Sequence, residues 1–414
     1  MPVHRIPGAG RGSVFALTEE LDAWLEADKS HNADEPAHPV RSDAARSVFA
    51  RVGLRIGVPL ALAAIGLSAF ALTREDAETP QLSLPADKDA AALYLDARSD
   101  WAERRPESIS RAIDKLQQVV ARDPGFAPAY AALADCYVLA REFGSLPDAE
   151  AFARAQSATD AALRIDPENP AALRAKGFLD YWWRRDGKSA ASHFKRSLAL
   201  GPQSAQTHFW YGNVLIDNGD FVAGLKELDE ARLLEPASVA IQADIAWANW
   251  SAGQEQQAQS ALEALRTDHP NLATIRDYLS VIYLANGDIP GFVREFHEQA
   301  QIRKEADFIG QTDRLSRALT VDQSSVLPML VTETLREAET GDRRDLAWPA
   351  FVASSGENRS ALLRLLKTSD ARKESWGSAG LVRKIKQRWA GDREITSLLE
   401  KRAAPSLVPD ETPK

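Results

Sequence analysis

The strongest constraint on this chain is a recurrence of prolines. Asp123-Pro124, Asp166-Pro167, Gly201-Pro202, Glu235-Pro236 and His269-Pro270 each close an apolar run of helical spacing. Pro202, Pro236 and Pro270 are 34 residues apart, and Pro167 precedes Pro202 by 35. Proline cannot continue a helical hydrogen-bond ladder, so each marks a helix end. Twelve residues before each proline stands a small side chain: Ala112, Ala155, Ala190, Gly224 and Ala258. Small residues there let two antiparallel helices approach closely. Gly219, Gly253 and Gly287 continue the same spacing and suit the turn between the two helices of a pair, where positive φ is easiest for glycine. A fixed period of this length signals stacked supersecondary units, each burying its apolar face on the next. The expected fold class is therefore all-α, an α-solenoid of antiparallel helix pairs.

Period, small residues, turn glycines and helix-ending prolines together resemble the tetratricopeptide repeat family. Tyr137, Tyr211, Gly212 and Tyr283 fall near that family's packing positions. The resemblance spans residues 89–306. Arg141 to Ala149 reads as an insertion between the helices of one pair. Residues 307–402 keep helical spacing without the repeat and read as degenerate pairs that extend and cap the array. Residues 403–414, with Pro405, Pro409 and Pro413, read as a disordered tail.

Upstream of the repeats, Ile56 to Thr73 carries no charge. With Val52 to Arg55 it reaches the roughly 20 apolar residues that a hydrocarbon core of about 30 Å requires. Residues 51–73 are thus expected to be one transmembrane helix, and Pro59 kinks it without abolishing it. Arg41, Arg46, Arg51 and Arg55 precede the span, whereas Glu75, Asp76 and Glu78 follow Arg74. The excess of basic residues before it places the N-terminus in the cytoplasm and the repeats beyond the membrane. For a bacterium that is the inner membrane, with the repeats periplasmic. A buried core helix and a signal peptide cleaved near Ala69-Phe70-Ala71 are the alternatives. Residues 28–50 and 74–88 read as linkers.

Residues 1–27 suggest a small β-hairpin followed by a helix. Val3 to Ile6 and Ser13 to Leu17 read as strands around a Gly-rich turn, and Thr18 caps a helix with Leu21, Trp24 and Leu25 on one face. This fragment resembles the wing and last helix of excisionase-like winged helix-turn-helix domains, through Leu21-Asp22-Ala23-Trp24-Leu25. The resemblance implies phosphate contacts by Arg5 and Arg11. The helix-turn-helix itself would lie upstream of Met1, so the fragment is expected to be a truncated one. The order wing, span, repeats resembles that of ToxR-like and cyclase-associated regulators of bacteria, and this implies a regulatory role.

No catalytic pattern stands out. Cys136 is the single cysteine, and none of the seven histidines has metal-ligand spacing. No nucleophile elbow or phosphate-binding lysine loop occurs. The net charge of -9 removes a chain-wide basic footprint for nucleic acid. Neither a cofactor nor a metal is expected, and the chain is read as non-catalytic. What remains is a surface. In the 34-residue register, Phe178, Trp182, Phe209, Asn213, Ile216, Trp247, Trp250, Asp277, Val281 and Leu284 should face inward from the first helix of successive pairs. Aromatic groups of this kind favour capture of a protein or peptide. The competing assignment has the rings filling the seam between repeats, as assumed for Trp183 and Trp210. The expected role is a membrane-anchored protein-binding module. The alternative is a membrane-bound one-component transcription regulator with the repeats as sensor.

Overall fold

The computed structural model describes residues 83–142, 146–340, 345–402 and Leu407, together with the backbone of residues 4–5 and 14–15. The expected span at 51–73, the helix after Thr18, the linker 28–50, residues 74–82 of the second linker, Arg11 and, apart from Leu407, the tail 403–414 lie outside these residues. Among the described residues, no helix is long and apolar enough to cross a membrane. At the N-terminus, β1 (His4–Arg5) and β2 (Val14–Phe15) pair antiparallel, with His4 opposite Phe15 and Arg5 opposite Val14.

From residue 83 onward the described chain is helical, an α-solenoid of stacked helix pairs. Six antiparallel pairs come first: α1 (Lys88–Ala102) with α2 (Pro106–Arg122), α3 (Ala127–Glu142) with α4 (Asp148–Ile165), and α5 (Pro170–Phe178) with α6 (Gly187–Leu200). Then α7 (Ala205–Asp217) pairs with α8 (Phe221–Leu234), α9 (Val239–Ser251) with α10 (Glu255–Asp268), and α11 (Ala273–Asn286) with α12 (Ile289–Arg303). Local chemistry sets the starts. Asn169, Asp186, Ser204 and Asp288 each accept a hydrogen bond from a backbone N–H of the first turn. The turns after α7, α9 and α11 use Gly219, Gly253 and Gly287 at φ of +87°, +102° and +76°. One period earlier the same turn is made by Arg185 at φ +61°, a conformation that costs a side-chain-bearing residue about 1–2 kcal/mol. Before that turn the helix widens into a π-turn, Leu179–Trp183, and Asp186 N–H reaches back to Asp180 O.

The small residues do what their spacing suggests. Ala112, Ala155, Ala190 and Ala258 are buried between the helices of their pairs. In the fourth pair both partners are glycine. A Cβ on Gly224 would lie 2.9 Å from Gly212 O, and one on Gly212 would lie 3.1 Å from Gly224 O. Backbone therefore meets backbone where α7 crosses α8.

First helices touch one another from pair to pair: α3 with α5, α5 with α7, α7 with α9, α9 with α11. They form the inner face. Beyond α12 follow α13 (Ala306–Val321), α14 (Val326–Thr340), α15 (Ala347–Ser355) and α16 (Arg359–Ala371). The chain then turns back. α17 (Ala379–Arg388) lies against α15, α9 and α7, and α18 (Arg393–Glu400) packs on α16. Arg383 donates to Trp250 O at 2.8 Å and Ser251 O at 2.9 Å, and Arg388 donates to Ala285 O at 3.1 Å and Ser355 O at 3.2 Å. Basic side chains thus cover the carbonyl ends of α9, α11 and α15, where the helix dipole favours positive charge. Gly380 allows the approach, since a Cβ there would sit 2.5 Å from Ser251 Oγ. So α17 clamps earlier repeats, a placement that differs from a cap continuing the stack. Two large apolar clusters run through the molecule, one along α1–α8 and one along α9–α18.

Candidate functional site

The inner face is lined by α1, α3, α5, α7, α9 and α11. Its N-terminal half is a buried polar cluster. Arg104, in the α1–α2 turn, stacks its guanidinium 4.1 Å above the Trp101 ring and donates to Gln206 Oε1 at 2.5 Å, across 102 residues of sequence. Asp135 and Arg174 form an ion pair, and Arg174 also reaches Ser204 Oγ at 3.2 Å. Four polar atoms here have no hydrogen-bond partner among the described residues: Trp101 Nε1, Asp135 Oδ1, Arg174 Nε and Gln206 Nε2. Asp135 is 4% and Gln206 8% exposed, so these atoms sit inside the curve of the solenoid and out of bulk water.

The next stretch is organised by Asp244. It accepts from Asn213 Nδ2 at 2.6 Å and from Tyr278 Oη at 2.7 Å, tying α7, α9 and α11 together. Burial pushes its carboxyl up to about 6, against those two hydrogen bonds. Asp217 is pushed up to about 8, chiefly by burial and then by the charge of Asp244. Asp277 is raised by burial, with Arg303 and Gln299 opposing. On this face burial disfavours the charged form of all three carboxyls, and at Asp217 the neighbouring charge of Asp244 adds to it.

The sequence-derived residues divide into two groups. Trp247 is half-buried, stacked 4.7 Å from Tyr278 on one side and 4.7 Å from Trp250 on the other. Phe209, Asn213, Trp182 and Asp277 are also half-buried on inner helices. Trp250, Ile216 and Leu284 are fully buried and Val281 is buried, so they do not face an open groove. For the first three the reason is register: a Cβ on Gly224 would meet Ile216 Cδ1, so position 216 and its repeat equivalents, 250 and 284, point toward the second helix. Val281 shares the register of Asn213 and Trp247 and is covered all the same. Phe178 is buried as well, between Trp182 at 4.2 Å and Trp210 at 4.7 Å. Trp210 is a packing residue, whereas Trp183 is 40% exposed and stacks on Phe152. Arg5 lies in β1.

The sequence reading missed Arg104, Asp135, Arg174, Gln206, Asp244 and Tyr278. Two signals were present. Asp135 is a lone charge in an apolar helical run, and Asp244 and Tyr278 stand one 34-residue period apart. Elsewhere, Cys136 is buried and its thiol is pushed up by that burial, so it is not a nucleophile. His208 is held between Glu227 Oε2 at 2.6 Å and Pro202 O at 2.9 Å, which raises its pKa. Among the described residues no cluster of three histidine, cysteine or carboxylate groups could hold a metal.

No known family profile matches the chain. Among curated proteins, the transcriptional regulator HilA of Salmonella typhimurium is 25% identical over 208 residues, which cover 50% of this chain and 37% of that protein. HilA of Salmonella typhi matches to the same extent. The chain thus spans well under half the length of the curated relatives it matches. Among solved structures, Pseudomonas aeruginosa PilF is 15% identical, covering 68% of this chain and 99% of that one, with a TM-score of 0.34. YrrB, a tetratricopeptide repeat protein with an unusual peptide-binding site, is 17% identical, with 48% and 97% covered and a TM-score of 0.31. Yeast Tom70 is 12% identical, with 92% and 82% covered and a TM-score of 0.39.

Proposed function

We propose that this chain is a membrane-anchored, non-catalytic binding module whose inner face takes an extended segment of another protein. The observation that carries the reading is the set of half-buried side chains on the inner helices, Trp182, Phe209, Asn213, Trp247 and Asp277. Aromatic groups offer a large contact area to a partner. The side chains of an extended peptide lie on these rings, and its backbone meets the polar groups of Asn213 and Asp277. The apolar stretch Ile56 to Thr73, with its basic residues before and acidic residues after, supports a single span that leaves the N-terminus in the cytoplasm and the repeats outside.

The test is comparative. The chain is purified in mild detergent from its own cells, as wild type and as Trp247→Ala and Phe209→Ala variants. If the inner face binds, each folded variant loses a specific co-purifying protein, with about 2 kcal/mol or more lost at Trp247 when it is a hot spot. Undiminished recovery of the same protein by both variants would sink the reading. A topology reporter fused after residue 90, compared with one fused before residue 45, tests the membrane arrangement.

A second reading is favoured by the similarity to a transcriptional regulator and by the β1–β2 pair carrying Arg5. Here the repeats sense a signal and the N-terminal part acts on DNA. In that case Arg5→Ala with Arg11→Ala changes transcription of target genes while leaving the co-purifying protein in place.

A further inference from the structure

The start of α6, the α7–α8 turn and residues 373–377 enclose a cleft of about 520 Å³. Tyr181, Arg185, Asn218, Lys373 and Gly377 form part of its walls, and so does one residue from the far end of the chain, Leu407. Leu407 donates its backbone N–H to Asp220 Oδ2 at 2.7 Å, across 187 residues of sequence. Its side chain packs with the apolar cluster of α1–α8. It also lies so close to Gly187 that a Cβ there would be 3.3 Å from Leu407 Cδ2. A second cavity of about 300 Å³ shares Asn218 with the first and is lined by Phe221, Trp376, Ala379 and Val382, with Arg383 and Lys386. The contact at Leu407 has the form of peptide recognition: one backbone hydrogen bond fixes the strand and one apolar side chain is anchored.

Three features say what fills the cleft. Leu407 is already seated there. Pro405 and Pro409 flank it in sequence, and proline restricts φ in the free chain as well, so less entropy is lost on binding. The residues that follow it include Asp410 and Glu411, whereas the two cavities are rimmed by Arg185, Lys188, Lys373, Arg383 and Lys386, offset in part by Asp186, Asp345 and Glu374.

We propose that this cleft is a peptide-binding site occupied in cis by the chain's own C-terminal segment, residues 403–414, with Leu407 as the anchor and Asp410 and Glu411 matching the basic rim. The cleft adjoins the inner face at Asp217, through Tyr181, Arg185 and Asp345, but the proposal does not depend on the function proposed above. Tethering gives the segment an effective concentration of the order of millimolar, so the cleft of the intact chain is closed to weaker competitors.

The experiment uses a fluorescein-labelled peptide of residues 403–414 and fluorescence anisotropy. The full chain ending at residue 402 is expected to bind it saturably, and the intact chain at least about tenfold more weakly because its own segment competes. A peptide with Leu407→Asp should lose binding by at least tenfold. If the shortened chain does not fold, the intact chain carrying Leu407→Asp replaces it and should bind the wild-type peptide equally well. Absence of saturable binding, equal binding by intact and shortened chains, or full binding of the altered peptide each overturns the proposal. A second readout is the Gly187→Cys, Leu407→Cys double variant. The native Cys136 is buried and does not compete. Mild oxidation should join the new pair within one chain, and a covalent dimer instead would place the segment on a second copy and overturn occupancy in cis.

Discussion

Replacing Gly224 by Ala puts the repeat geometry under direct test, because two effects of opposite sign meet there. In an open helix, glycine to alanine gains about 1 kcal/mol of helix propensity. At Gly224 the new Cβ would lie 2.7 Å from Ile216 Cδ1 and Cγ1 and 2.9 Å from Gly212 O. Ile216 can turn aside, but the carbonyl belongs to the backbone of α7 and moves only if the helices separate. Overpacking of this kind costs about 1–3 kcal/mol. The net expectation is a loss of up to about 2 kcal/mol. Gly310 in α13 is the control, since a Cβ there meets nothing nearer than Arg314 Nη1 at 3.8 Å. Gly310→Ala should gain up to about 1 kcal/mol. Urea denaturation followed by circular dichroism at 222 nm compares the two midpoints. If Gly224→Ala is as stabilising as Gly310→Ala, the close crossing of α7 and α8 is wrong.

Other expectations follow from the same contacts. Trp250→Ala should cost about 3–5 kcal/mol in denaturant, as a fully buried ring, while Trp247→Ala should cost clearly less because its ring is half-buried. Glu295 is fully buried against Arg266 and Arg276 at 2.6 Å and Arg294 at 3.0 Å, so Glu295→Ala leaves uncompensated charge and should cost about 3–5 kcal/mol, read as a fall in the denaturation midpoint. Asp217 has a folded pKa of about 8 beside Asp244, Asp345, Arg185 and Tyr181. The unfolded carboxyl titrates near 3.9. Between those values the folded state holds the extra proton, so Asp217 lowers stability progressively as pH rises through that window. Asp217→Asn should therefore be nearly neutral near pH 4 and increasingly stabilising toward pH 8, levelling off above, in denaturation midpoints taken across that range.

The helix pairs were legible because proline, glycine and small residues each carry a backbone reason to stand where they do. Pro236, Gly219 and Gly224 state a helix end, a left-handed turn and a close crossing without any knowledge of the rest. The turn at Arg185 was hidden because the same left-handed conformation is adopted there by a residue that does not favour it. The return of α17 was hidden for another reason. Arg383 and Arg388 bond to backbone carbonyls, and an acceptor that every residue possesses leaves no mark in a sequence. The inner face was read one helical turn too generously. Positions 209, 213 and 247 lie where the register puts them, but 216, 250 and 284 belong to the seam with the second helix. Charged members such as Arg104 and Arg174 come from different positions in their repeats and join only when the solenoid curves.

Whether the inner face captures another protein is decided most directly by site-specific photo-crosslinking in the native cells. A photoreactive amino acid is placed singly at Phe209, Asn213 and Trp247 on the inner helices and at Val222 and Leu233, which are 88% and 70% exposed on α8. The account requires one discrete adduct from the inner positions and none from the outer pair. An adduct confined to Val222 and Leu233 would contradict it and move the binding surface to the second helices.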